Sequence, residues 1–593
     1  MSSAELFKNI PTKVNELLIN VENGRIGLPD LQRPFEWNDS KVRDLLDSMM
    51  KGYPIGFIML WSSPDKYENV GYIGENDKTY DAPEDLVIDG QQRLTALLAA
   101  MHGVIVRDKK YKERRIRISY NPISKEFAVW SQAYEKSPEW ISAISDVFMA
   151  DRGHKIPEFR RAFVAAYNEG RTKNNLPELS SEEEYQIEQN INDLLNLKEY
   201  ALPEIKIFDN ASEEDVADIF VRVNSGGKKL NETNFIETLL AVYDNDAYEK
   251  IETFCSDSRI PTKNTSYNNI LEVDPVHLIR VAVGVGFRRA RLRYAYMLLR
   301  GKDLRTGETN QETRAENLRI FRDALEKATK LNDWHAFLNM FARAGYLNKS
   351  FIASSNAVVF GYVLYLIGKY DYDLSSSELQ HIIPRWIFMS TITSFYSGST
   401  ESEVEKQFAD MRNINTKEEY ITYLDGGITS AMTEDFFNIT LPQRMTTSAA
   451  TSPEWYGYIA AINVLGKPMF LSTVPVANHL IPGASGTKNS IDKHHIFPKK
   501  YLERLGYDSN RDRNQIANFT YIDYQTNIEI SDDPPADYVK KYRQRLGEKR
   551  YKETCFENAL PLNFETMGYK EFLDRRRILM AQKVREAYIE LSK

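Results

Sequence analysis

Leu86-Val-Ile-Asp-Gly-Gln-Gln-Arg-Leu-Thr-Ala-Leu97 passes from an apolar run to helical spacing within a few residues, and that passage sets the class of the N-terminal region. Leu86, Val87 and Ile88 read as a buried strand. Leu94, Leu97, Leu98 and Met101 recur at the spacing of one helix face. Asp89 stands between them as the expected N-cap, accepting from unpaired first-turn amides. Such a strand–turn–helix junction attracts phosphate, because those amides and the positive end of the helix dipole face the turn. Arg93 adds a fixed cation there.

Outward from this junction, residues 1–240 read as mixed α/β. Lys41 to Met50 is a short amphipathic helix with Val42, Leu45, Leu46 and Met49 on one face. Ile55 to Trp61 is a buried strand introduced by the turn residues Gly52-Tyr-Pro54. Val104 to Tyr120 alternates apolar and basic residues, which predicts a hairpin with one cationic face. A solvated edge is favoured there over contact with a phosphate backbone. Residues 131–200 look helical and polar. Ser212-Glu-Glu-Asp215 starts a further helix with a capping-box pattern, and Asn224-Ser-Gly-Gly227 ends it.

Residues 235 to 430 are largely helical in pattern: Phe235–Tyr243, Pro275–Val285, Arg288–Arg300, Thr313–Thr329, Asn356–Gly368 and Leu379–Tyr396. Arg288, Arg289, Arg291, Arg293 and Arg300 cluster with Tyr294 and Tyr296 interleaved. That composition suits nucleic acid, and equally suits arginines bridging helices. Small and turn-forming residues at 448–452 and 472–488 flank the entry to a last domain.

Composition bounds the class. The 593 residues, 42% hydrophobic and 27% charged, describe a multidomain globular protein with ample core. The N-terminus lacks the apolar segment of a signal peptide, and the run Val358 to Gly368 is shorter than the roughly 18–20 residues that span a bilayer. Two cysteines exclude a disulfide framework or a cysteine-based zinc site. A cytoplasmic location is expected. Net charge is −8, but residues 481–593 hold 21 Lys+Arg against 17 Asp+Glu, a balance of +4. A polyanion partner is therefore expected at the C-terminal end.

The C-terminal region carries the densest chemistry. Asp492-Lys-His-His-Ile-Phe-Pro498 contains two of the chain's eight histidines, and Asn514, Asn518 and Asn527 follow. One histidine as metal ligand, its neighbour as general base and a downstream amide as second ligand suffice for metal-assisted phosphodiester hydrolysis. Gln380-His-Ile-Ile-Pro384 imitates part of this motif inside a helical pattern and lacks the paired asparagines, so His381 reads as a packed structural residue. Lys499, Lys500, Arg504, Arg511 and Arg513 could grip flanking phosphates. The final helix, Phe572 to Tyr588, closes the domain.

Two resemblances follow from these motifs. Leu28-Pro-Asp-Leu-Gln-Arg-Pro-Phe-Glu-Trp37, Tyr53-Pro-Ile-Gly56, the Val87–Leu97 stretch and Phe220-Val-Arg-Val-Asn-Ser-Gly-Gly227 together resemble the N-terminal domain of GmrSD-type restriction endonucleases, itself similar to the ParB-type nucleotidase fold. The resemblance implies binding and hydrolysis of a nucleoside triphosphate. Arg33, Asp89, Gln91, Arg93 and Asn224 would line that pocket, with Gly90 and Gln92 of the same turn and Trp37 nearby. The C-terminal motif resembles the HNH (ββα-metal) nucleases. It implies His495 as general base, His494 and Asn527 as ligands of one Mg2+ or Mn2+, and Asn518 as the asparagine bracing the loop, with Asn514 the less favoured alternative. Histidine at 494, where many such sites have aspartate, shifts preference toward Mn2+; Asp492 is a weaker candidate for the carboxylate.

The expected fold is α+β and multidomain: a ParB-like N-terminal domain over 1–240, a helical middle over 241–440 and an HNH domain over 441–593. The expected function is a nucleotide-regulated, metal-dependent DNA endonuclease that defends against phage and recognises modified DNA, with no membrane partner and homo-oligomerisation left open. The alternative is a ParB-like DNA-binding regulatory nucleotidase that does not cut.

Overall fold

A computed structural model describes residues 5–27, 35–62, 83–108, 112–211, isolated positions between 215 and 240, 244–262, 264–303, 306–481 and 491–593. The chain forms two compact units, Met1–Glu252 and Thr253–Lys593.

The first unit is built on a mixed five-stranded sheet in the order β1-β9-β3-β4-β2. Its strands are β1 (Phe7–Lys13), β2 (Ile26–Gly27), β3 (Ile58–Ser62), β4 (Asp85–Asp89) and β9 (Ala201–Ile207). Strand β3 runs antiparallel to β4 and parallel to β9. Leu60 and Val87 face a core shared with helices α1 (Val14–Glu22), α2 (Asp39–Met50) and α3 (Gln91–Leu97). Met59, Trp61, Leu86, Ile88 and Ile207 face a smaller cluster with Ala211, Val216 and Phe220. Burial on both faces explains why these strands read as unbroken apolar runs rather than as alternation.

Helix α2 buries Val42, Leu45, Leu46 and Met49 as its spacing predicts, and the Asn38 side chain caps it by accepting from the Lys41 amide. The strand expected from Ile55 begins at Ile58. Between α3 and β9 lie two short hairpins, β5 (Val106–Arg107) with β6 (Glu113–Arg114) and β7 (Ile118–Asn121) with β8 (Glu126–Val129). Four helices follow: α4 (Gln132–Lys136), α5 (Ile144–Arg152), α6 (Ile156–Lys173) and α7 (Ser181–Leu195). The basic stretch before β7 is partly internal. Arg114 donates to Asp39 and to the Trp37 carbonyl, and Arg117 lies over the Trp130 ring at 3.7 Å.

Helix α8 (Asn245–Asp257) contains the division between the units. The second unit is mainly helical as far as residue 464. Its elements are α9 (Pro275–Phe287), α10 (Leu292–Leu299), α11 (Gln311–Ala328), α12 (Leu331–Arg343), α13 (Ser355–Tyr370), α14 (Ser376–Ile392), α15 (Thr400–Met411), α16 (Lys417–Ala431) and α17 (Pro453–Val464). Helix α13 is buried on every side from Ala357 to Gly368, which accounts for the apolar run there without a membrane. No helix among the described residues is long and apolar enough to cross one.

The arginine cluster at 288–300 takes the second of its two readings. Arg288 ends α9 in the left-handed conformation at φ 54°, so the next helix starts only at Leu292. Arg288 pairs with Asp371 and Arg289 with Glu405, bridging helices rather than facing outward as a group. His381 corrects an expectation: it lies exposed on α14, because Ile382, Ile383 and Trp386 take the inward face.

Candidate active site

The two histidines lie on β10 (Ile491–His495), which pairs antiparallel with β11 (Phe519–Asp523). The pairing sets His494 opposite Thr520 and His495 opposite Phe519. Between the strands run α18 (Lys499–Arg504) and α19 (Asn510–Arg513). Helix α20 (Tyr524–Ile530) follows β11 directly, and Asp523 caps it by accepting from the Thr526 amide and hydroxyl. The cap turns the chain so that Asn527 comes back over β10.

His494 is 4% exposed. Its Nδ1 lies 2.8 Å from Asn527 Oδ1, and its Nε2 is buried without a hydrogen-bond partner. The contact is a hydrogen bond with the proton on Nδ1. Its length is close to the ~3 Å between two neighbouring ligands of one cation held at ~2.1 Å, so the two side chains would take up an ion there with loss of that proton. Among the described residues no group of three or more His, Cys, Asp or Glu side chains converges as a metal cage. An ion held by His494 and Asn527 would therefore keep positions open for water or a substrate oxygen. The Asp492 side chain lies outside the described residues.

His495 is half-buried. Its Nε2 is 3.0 Å from Asn514 Oδ1, and its ring meets the Phe519 ring edge-on at 4.8 Å. Burial pushes the imidazole down to about 4, aided by the charges of Lys499, Lys493 and Arg513. His494 is likewise pushed down to about 4, first by burial. Both rings are neutral at physiological pH, the form a metal ligand and a general base require.

Asn518 is fully buried, and its side-chain hydrogen bonds go to backbone rather than to either histidine ring. Its Oδ1 accepts from the Phe497 amide, and its Nδ2 donates to the Phe497 and Arg513 carbonyls. It ties the turn after β10 to the segment before β11. Sequence reading gave Lys493 no role and assigned Arg576, with its neighbours on the final helix, to domain closure rather than to the site. Lys493 shares the strand face of His495, two residues away, and its Nζ lies 4.8 Å over the same Phe519 ring. Arg576 of the last helix, α23 (Tyr569–Leu591), is completely buried and donates to the Ala517 carbonyl at 2.7 Å. Of the proposed phosphate grips, Arg513 pairs with Glu503 and Arg504 donates to the Asp532 carbonyl. Lys499 is exposed.

The N-terminal candidates gather in part. Arg33 and Asn224 lie outside the described residues. Asp89 ends β4 but does not cap α3. The cap position falls to Gly90, in the left-handed conformation at φ 95°, and no side chain accepts there. The positive φ is what calls for glycine there, and a Cβ would also stand 3.2 Å from the Phe57 carbonyl oxygen. Arg93 folds back beneath the junction, donating from Nη1 to the Phe57 carbonyl with Asp89 attracting its charge, while its Nε is buried without a partner. Gln91 donates to the Val87 carbonyl at 3.4 Å, and Gln92 Oε1 accepts from the Glu36 amide at 2.9 Å. That last bond draws the Trp37 segment to the turn. Trp37 itself packs against the core with Lys41 Nζ 4.0 Å over its ring. A cavity of 1410 Å³ in this unit, beside Asp47, Phe127, Tyr134 and Trp140, uses none of the junction residues.

Comparison with known proteins agrees with this layout. An uncharacterized protein of Methanocaldococcus jannaschii is 21% identical over 547 residues, covering 89% of this chain and 86% of its own length. Residues 14–241, nearly the whole first unit, match the model of the GmrSD restriction endonuclease N-terminal domain. Over those residues the chain is similar to the N-terminal domain of the GmrSD restriction endonucleases.

Proposed function

We propose that the protein is a metal-dependent DNA endonuclease whose cutting is governed by a nucleoside triphosphate bound at the first unit and which acts in defence against phage carrying modified DNA. The observation that carries the reading is the separation of tasks on β10: His494 is buried against Asn527, while His495 is half-buried, neutral and held by Asn514. His495 takes a proton from the attacking water, for which its neutral ring is prepared. His494 and Asn527 would hold a divalent cation, Mg2+ or Mn2+, which would supply positive charge to the scissile phosphate and the departing oxygen. Asn518 keeps the turn between the two halves of the site from opening.

Support for the nucleotide comes from the junction. The left-handed Gly90 places the first amides of α3 at the end of β4, and Arg93 brings a cation beneath them. The family of the first unit implies DNA as the partner and cleavage as the outcome.

The test is plasmid nicking with Mg2+ or Mn2+, with and without each nucleoside triphosphate, on DNA bearing different modifications. His495→Ala is expected to abolish nicking while leaving the fold intact. Nicking that survives the substitution overturns the assignment of the base. A wild-type protein that binds DNA but cuts none of these substrates would instead support the non-cutting regulator.

A further inference from the structure

The ring of His495 is held by an asparagine other than the one that braces its loop. Asn518 makes three bonds, all to backbone, and none to the imidazole. Asn514, four residues earlier, ends the short helix α19 and places Oδ1 3.0 Å from His495 Nε2. An amide oxygen only accepts, so a bond to it requires the proton on Nε2. In a neutral ring the lone pair then lies on Nδ1. No hydrogen bond reaches that Nδ1 among the described residues, and the Phe519 ring, edge-on at 4.8 Å, restricts rotation that would exchange the two nitrogens.

The support for Asn514 is itself built from the C-terminal half of the unit. The Tyr569 hydroxyl donates to the Asp512 carbonyl at 2.8 Å. Arg577 donates to Gln515 Oε1 at 3.0 Å, and Arg576 to the Ala517 carbonyl. The backbone on either side of Asn514 is thereby fixed against α23.

We propose that Asn514 is a positioning residue for the nuclease reaction: it locks His495 as the Nε2–H tautomer and so presents Nδ1 as the nitrogen that receives the proton of the attacking water. The inference rests on the endonuclease reading above, and it assigns the atom as well as the residue. A base held in the wrong tautomer has its lone pair turned away from the water, although neither charge nor fold has changed.

The experiment combines a structural and a kinetic readout on the full chain. Nitrogen-15 NMR of histidine-labelled protein, assigned by comparison with His495→Gln, reports which ring nitrogen of His495 carries the proton, independent of any cleavage. The wild type is expected to show the Nε2–H form, and Asn514→Ala a mixture of both tautomers. Plasmid nicking by Asn514→Ala should lose ~10- to 100-fold in kcat, as for other residues that orient a catalytic histidine, with KM unchanged. Asn514→Asp keeps an acceptor and should restore both the tautomer and most of kcat, which a loss of folding in the alanine variant would not predict. A wild-type ring protonated on Nδ1 overturns the proposal, as does an Asn514→Ala variant with unaltered tautomer or unaltered kcat. Failure of Asn514→Asp to rescue also sinks it, since the bond would then depend on the amide N–H. Absence of nicking by the wild type, with the Nε2–H tautomer present, brings down the endonuclease reading and the catalytic role of Asn514 with it.

Discussion

Three asparagines close together in sequence take three different sets of partners, and burial separates them. Asn518 is wholly enclosed and satisfied by backbone, Asn527 reaches a buried imidazole, and Asn514 reaches a half-buried one. Removing the Asn518 amide strands an amide and two carbonyls in a dry interior. Asn518→Ala is expected to cost about 2–4 kcal/mol, read as a lowered urea midpoint, and Asn514→Ala far less. Equal losses for the two variants would contradict the division of roles. The residue types and the nine-residue spacing of Asn518 and Asn527 were legible in the sequence because they sit on either side of a strand of known length. The task of Asn514 was not: only the fold of α19 decides which asparagine turns toward the ring. Lys493 was missed for a similar reason, since strand alternation matters only once β10 is placed.

At the scale of elements, the junction of β4 and α3 shows where spacing informs and where it does not. Apolar periodicity located both elements, but the cap went to a left-handed glycine that no periodicity encodes. Helix α3 then widens into a π-helical turn at Leu98–His102 and ends at Gly103. His102 closes that turn, nearly buried, with Nδ1 2.7 Å from Glu22, which also receives Arg152 at 2.6 Å. Burial pushes His102 below the usual range, against the pull of Glu22. The unfolded chain therefore takes up a proton near ~6.5 while the folded one resists it until lower pH. Stability contributed by neutral His102 is expected to decline as pH falls below about 6.5. Glu22, also lowered overall by Arg152 and His102 despite its burial, adds a further decline at more acidic pH. The melting temperature of the wild type between pH 7.5 and 5 should fall more steeply than that of His102→Gln. Parallel slopes would remove the triad from the explanation.

At the scale of the whole molecule, two compact units predict two calorimetric transitions. Mn2+ at ~100 times its dissociation constant should raise only one of them, by ~2.7 kcal/mol, and His494→Ala should erase that shift. A single transition, or a Mn2+ shift that survives His494→Ala, would count against the site. The mixed sheet and the helical bulk of the second unit were readable from pattern alone. The extent of the second unit was not, because cores are shared by contacts across hundreds of residues that no local motif records.

Arg576 carries one more implication. Its guanidinium, completely buried, donates to the Ala517 carbonyl 59 residues earlier in the chain and to the Asn558 carbonyl. On the ribosome, the loop that carries Asn514 and Asn518 emerges well before the helix that pins it. A growing chain thus holds both histidines long before it can hold them still, and a fragment ending short of that helix would carry the motif without the clamp. Order of synthesis by itself then delays the fixing of the histidine pair until that helix has emerged.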